Sequence, residues 1–156
     1  MADGAFVGRD VVVNFAIGLE TVDPVTLTFK RLGMMRGKES SFDWSTVDAT
    51  ADMSPAFTKE NLVTFKEFKF SGDGVVRGDA IFNQTEFKSQ VISPASTTGN
   101  QPKVWLQIID YANGVIAGMY QGPCIVANWK DSRAYDGVAT FSFEAMGNGD
   151  VAFTPA

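Results

Sequence analysis

Alternation of apolar with polar or small residues constrains this chain more than any other feature. Val11, Val13, Phe15 and Ile17 fall on one side of VVVNFAI; Val25, Leu27 and Phe29 alternate with threonine in VTLTF; Phe141 and Phe143 alternate with Thr140, Ser142 and Glu144 in ATFSFEA. A period of two marks a strand with one face buried, because successive side chains leave a pleated backbone on opposite sides. Clusters that tolerate positive φ divide the runs: SGDG (71–74), ANG (112–114), YDG (135–137) and GNGD (147–150). Asn113-Gly114, between KVWLQIID and VIAGMY, is the strongest hairpin signal. The predicted class is mainly β, an antiparallel meander built as a sandwich or half-barrel.

One segment departs from this period. FNQTEFKSQVISP predicts a short helix over about 83–92, with Asn83 as cap, Glu86 completing a capping box, Phe82 and Phe87 as a hydrophobic staple and Pro94 as a stop. Residues 46–61 and 93–102 follow neither pattern; the first reads as a long loop, a kind of segment that in compact domains usually binds something or is disordered. In VTFKEFKFSG, Val63 and Phe65 lie in one register and Phe68 and Phe70 in the other, which predicts a bulge near Lys66-Glu67. No repeat or composition break divides the 156 residues, so residues 1–156 are read as one domain with one core.

Composition removes most chemistry. The chain has no histidine and a single cysteine, Cys124, in an apolar run. Imidazole-dependent triads and the common zinc sites are therefore excluded, no internal disulfide can form, and Cys124 reads as a small buried hydrophobe. The net charge is −5, and no cationic run exceeds Lys30-Arg31, too little to grip phosphate. Asp3, Arg9, Asp10 and Asn14 interrupt the N-terminal apolar stretch, and no stretch approaches the roughly 20 apolar residues of a membrane span, so a soluble chain that keeps its N-terminus is expected.

Candidate sites remain weak. Glu39, Asp43, Asp48 and Asp52 could supply an acid pair for glycoside hydrolysis, but with 18 acids in the chain such grouping is expected by chance. Asp48 and Asp52 lack the intervening ligand and central glycine of a calcium loop. Trp105 and Trp129 read as core, whereas Trp44, between Asp43 and Ser45, suits a half-exposed anchor or a sugar-binding face. No cofactor is expected.

The layout resembles the major tail tube proteins of long, flexible-tailed bacteriophages. The resemblance rests on residues 122–153, GPCIVANWKDSRAYDGVATFSFEAMGNGDVAF, where that family has a strand beginning near Gly-Pro, an Asp/Gly turn, a Thr/Phe/Ser strand, a glycine-rich turn and a short last strand. RGKESSFDWSTVDATAD (36–52) resembles the family's serine-alternating strand entering a long loop, and the helix falls where the family places its single one. The resemblance implies a non-enzymatic virion protein, assembled in the host cytoplasm. Its copies form hexameric rings stacked into a hollow tail tube that conducts phage DNA to the host. Its implied partners are itself, the tape measure, tail terminator and distal tail proteins, and DNA passing without specific binding, with no membrane. Inter-subunit contacts are then expected from Asp48, Asp52, Met53, Phe57 and Lys59 in the long loop, Met53 and Phe57 being apolar in a polar stretch. Arg36 and Lys38 are expected to meet acidic patches across the ring interface. A carbohydrate-binding sandwich centred on Trp44 and a tail terminator that stops at one ring remain the alternatives.

Overall fold

The computed structural model describes residues 7–52 and 55–155. Eight strands form one antiparallel sheet: β1 (Val11–Ile17), β2 (Lys30–Arg31), β3 (Met35–Asp48), β4 (Asn61–Val75), β5 (Lys103–Ala112), β6 (Val115–Ser132), β7 (Thr140–Gly147) and β8 (Ala152–Pro155), with one helix, α1 (Gln84–Ile92). The strand order is β2-β1-β5-β6-β7-β4-β3, and β8 pairs with β6. The two ends of that order, β2 and β3, are separated in the chain by only residues 32–34. The sheet must therefore curl until its ends meet, and Lys38 on β3 donates to the Gly8 carbonyl just ahead of β1 at 3.0 Å. The result is the expected half-barrel.

The curl encloses one core. Val13 and Phe15 of β1, Val104, Leu106 and Ile108 of β5, Phe68 and Phe70 of β4, and Phe141, Phe143 and Ala145 of β7 are buried in a single cluster. These are the alternate residues of each strand. Helix α1 closes the cluster with Phe87, which has no exposure and packs edge-on to Phe15 at 5.1 Å and against Phe143 at 4.9 Å. Gln84 joins three segments: its amide nitrogen donates to the Gly33 and Val75 carbonyls, and its oxygen accepts from the Arg77 N–H. Trp105 is buried and Trp129 packs on the core, stacked on Phe141 at 5.1 Å.

Several sequence readings change. VTLTF is not a strand: Asp23 accepts from the Val25 N–H and Pro24 fixes the backbone, so residues 24–26 form a 3-10 turn with Val25 exposed. SGDG is not a turn but lies inside β4, paired to β3 on one edge and β7 on the other. Gly74 is glycine because a β-carbon there would run into the Met34 carbonyl and the Met35 backbone alongside it. GNGD does not reverse the chain either; β7 and β8 follow one another along the same edge of β6, interrupted at 148–151, where the Asn148 N–H binds the Pro123 carbonyl. Gly122-Pro123 sits within β6, not at its start, and the missing proline N–H falls at that interruption.

The β4 bulge is at Thr64 and Phe65, both opposite Ser45, slightly ahead of Lys66-Glu67. The helix exists, but the capping box does not form. Asn83 is left-handed at φ 56°, its amide donates to the Arg31 carbonyl, and Glu86 pairs instead with Lys30 at 2.8 Å. Asn113 and Gly114 both have positive φ, as a tight hairpin with the strands' own twist requires.

Candidate assembly surface

Pairing between β4 and β7 begins only at Lys69, whereas β3 and β4 stay paired out to Asp48 and Asn61. The outer halves of β3 and β4 therefore project as a two-stranded ribbon with both edges open among the described residues. Directly opposed residues share a face, so Trp44, Thr46 and Val63 lie on one side and Val47 and Leu62 on the other. Trp44 is 54% exposed, Val47 53%, Leu62 62%, Val63 60% and Phe65 77%. Exposed apolar side chains on both faces of a ribbon mark an interface, and open strand edges are templates for another chain. At the ribbon's base the Lys66 ammonium sits 5.8 Å from the Phe42 ring and 6.0 Å from that of Trp44, and contacts Asp150 at 3.4 Å.

The ribbon's tip is tied together by polar contacts. The Ala49 N–H donates to the Glu60 carbonyl, and the Glu60 N–H to the Thr50 hydroxyl. Asp48 accepts from the Thr50 N–H at 2.9 Å, and hydrogen bonding to Thr50 holds its carboxyl below the usual range. A 3-10 turn at Pro55–Phe57 follows, with Ala56 in the left-handed region at φ 53°.

The residues expected to contact other subunits fall into two groups. Asp48, Asp52 and Lys59 lie exposed at the ribbon tip, the backbone of Phe57 is in the 3-10 turn, and Met53 lies outside the described residues. Arg36 and Lys38 stand at the opposite end of the same strand. A bulge there sets Arg36 and Gly37 against Asp73 alone, and burial together with the nearby Arg31 lowers the pKa of Lys38. The structure does not bring the two groups together within one copy. Sequence reasoning passed over Val47, Leu62, Val63 and Phe65, although apolar residues in both registers of TVD and NLVTF were the available signal.

Glu39 and Asp43 are four residues apart along β3, about 13 Å at strand rise, beyond the separation a glycosidase pair requires. The Cys124 thiol is buried and pushed up to about 12, far from a nucleophile's range. Among the described residues no group of acids and cysteine could hold a metal ion. The outer face of β3, β4 and β7 carries two shallow grooves, lined by Glu39, Lys69, Ser71, Asp73, Ser142 and Glu144.

The fold is shared with solved structures of phage-like tails and of an injection system. The chain matches the tail of an empty gene transfer agent particle, refined with helical C6 symmetry, at TM-score 0.68 and 21% identity, over 96% of this chain and 99% of that one. It matches the SPP1 tail tube at 0.67 and 13% identity, over 97% and 80% of the two chains. A chain of the PVC extracellular contractile injection system, in the extended sheath–tube complex, matches at 0.65 and 7% identity, over 99% and 94%. No family model and no curated protein sequence matches the chain.

Proposed function

We propose that this chain is the building unit of a tail tube: copies close into hexameric rings, and the rings stack into a hollow tube that conducts DNA. The observation that carries this reading is the β3–β4 ribbon, whose apolar residues lie on both faces and whose edges are unpaired. A monomer has no means of covering both sides, whereas copies packed around an axis and along it cover each. The fold shared with the gene transfer agent tail and the SPP1 tail tube supports the same reading. The work of such a subunit is geometric, in a virion tail assembled in the host cytoplasm, alongside tape measure, tail terminator and distal tail proteins.

The polar outer face of β3, β4 and β7 is the surface we assign to the lumen. It presents serines and the carboxylates of Glu39, Asp73 and Glu144, with Lys69 as the cation among them. Such a lining repels phosphate and offers few cations for it to displace counterions onto, so DNA slides without sticking.

Negative-stain microscopy of concentrated protein tests the function. Rings or tubes are expected, and deletion of residues 49–58 is expected to abolish stacking. Tubes of wild-type length from the deletion variant would remove the ribbon tip as the stacking element. Glycan binding that vanishes in Trp44→Ala, with no polymer at any concentration, would replace the tube reading with a carbohydrate-binding one.

A further inference from the structure

The cations of this acidic chain are unevenly placed. Arg9, Arg31, Arg36 and Lys38 line two adjoining cavities of about 310 and 220 Å³, at the corner where the turn before β1 meets β2 and the start of β3. Two carboxylates accompany them: Asp10, 3.9 Å from the Arg9 guanidinium, and Asp110, on the wall of the larger cavity. Among the described residues no carboxylate lies within 4.0 Å of Arg31, Arg36 or Lys38. Among the described residues Lys38 binds only a backbone carbonyl, that of Gly8. A half-buried ammonium beside Arg31 with no carboxylate in contact is an incomplete arrangement, because buried charge is normally matched by a counter-charge.

The ribbon tip shows the converse. Asp48 and Asp52 are exposed, and among the described residues neither has a cation within 4.0 Å. The cationic corner and the acidic tip belong to one strand, β3, whose 14 residues place Arg36 and Asp48 up to about 40 Å apart. They cannot meet within a copy.

We propose that the Arg36–Lys38 corner of one copy receives Asp48 and Asp52 of the next, head to tail along the axis of the tube. This rests on the tail-tube reading and adds to it the pair of surfaces that sets the stacking register. The guanidinium fork of Arg36 takes a carboxylate through paired hydrogen bonds, and Lys38 gains a carboxylate in direct contact, which Asp10 and Asp110 do not provide. The contact is heterologous, so each added layer leaves one cationic and one acidic end free and growth stays open. Burial of the ribbon's apolar residues supplies affinity, while the charges supply register and rate of association.

Charge reversal tests the pairing. Arg36→Glu with Lys38→Glu, and separately Asp48→Lys with Asp52→Lys, are each expected to raise the concentration needed for polymer about tenfold or more, read by sedimentation and negative stain. The four substitutions together are expected to restore tubes. Because Lys38 is half-buried, the exposed pair Arg36→Glu and Asp52→Lys is tested alone and combined in the same way, with a thermal melt of each variant to establish folding. Tubes unaffected by either reversal would overturn the pairing, and so would loss of tubes without rescue in folded combined variants. Wild-type protein that never polymerises would overturn the tail-tube reading itself, a distinct failure.

Discussion

At the scale of single residues, Asp131 on β6 is the acid most engaged by the fold. It accepts from the Lys88 ammonium of α1 at 2.8 Å, from the Trp129 indole at 3.1 Å and from Arg133 at 3.2 Å. Burial pushes its carboxyl up, but these donors and cations outweigh burial and the net shift is downward. A depressed carboxyl stabilises the fold above its unfolded value, near 3.9, and that stability is lost as pH falls from about 4 through the folded value. Asp131→Ala is expected to cost about 2 kcal/mol at neutral pH, the range for a hydrogen-bonded charge, and to flatten the acid limb of stability against pH, both measured by urea unfolding. Cys124 works in the other direction. Its raised pKa keeps the thiol neutral in the fold, so stability is full below about pH 8.5 and declines as pH rises toward 12. A thiol reagent at neutral pH is expected to label the unfolded chain and leave the native one untouched; rapid labelling of native protein would contradict the burial. The buried cysteine was legible in the sequence because only its apolar neighbours mattered. The capping box was not, because Asn83 and Glu86 are drawn to Arg31 and Lys30, more than 50 positions away.

At the scale of elements, the period of two located β1 and β7 because their alternate residues face one core, and Asn113-Gly114 located the β5–β6 hairpin. It misplaced VTLTF, where Asp23-Pro24 gives the backbone a local turn and leaves Val25 in water. SGDG and GNGD misled for a common reason. In each, one glycine serves close packing, Gly74 against the Met34 carbonyl and Gly147 against Phe68 and Val151, a demand set by the folded neighbours and invisible in the local string. Gly122 shows the same constraint and permits a measurement. A β-carbon at that position would stand 2.6 Å from the Val151 α-carbon, where the chain passes from β7 to β8. Gly122→Ala is expected to cost about 1–3 kcal/mol as overpacking. The loss should appear as faster amide exchange across the β6–β8 pairing at 118–121, with exchange in β1 and β5 unchanged. Uniform acceleration throughout the sheet would show that the β7–β8 junction does not open separately.

At the scale of the molecule, the ribbon and the core divide two properties that in most small domains are inseparable. Residues 43–48 and 61–66 are mostly exposed and lie outside the core cluster, so replacing their apolar side chains leaves the core's packing intact. Exposed substitutions of this kind shift stability by about 0.5 kcal/mol or less. The same side chains are what an assembled neighbour would bury, and interface positions of this type cost more than 1 kcal/mol each when truncated if they lie at the centre of the contact. Val47→Ser with Leu62→Ser, directly opposed on one face, is therefore expected to melt like wild type while losing polymer. Trp44→Ser with Val63→Ser tests the other face. If only one pair abolishes assembly, one face of the ribbon meets a neighbour and the other meets solvent or its own ring. If the melting temperature falls with either pair, the ribbon belongs to the fold of the single copy and its exposure is not held in reserve for another.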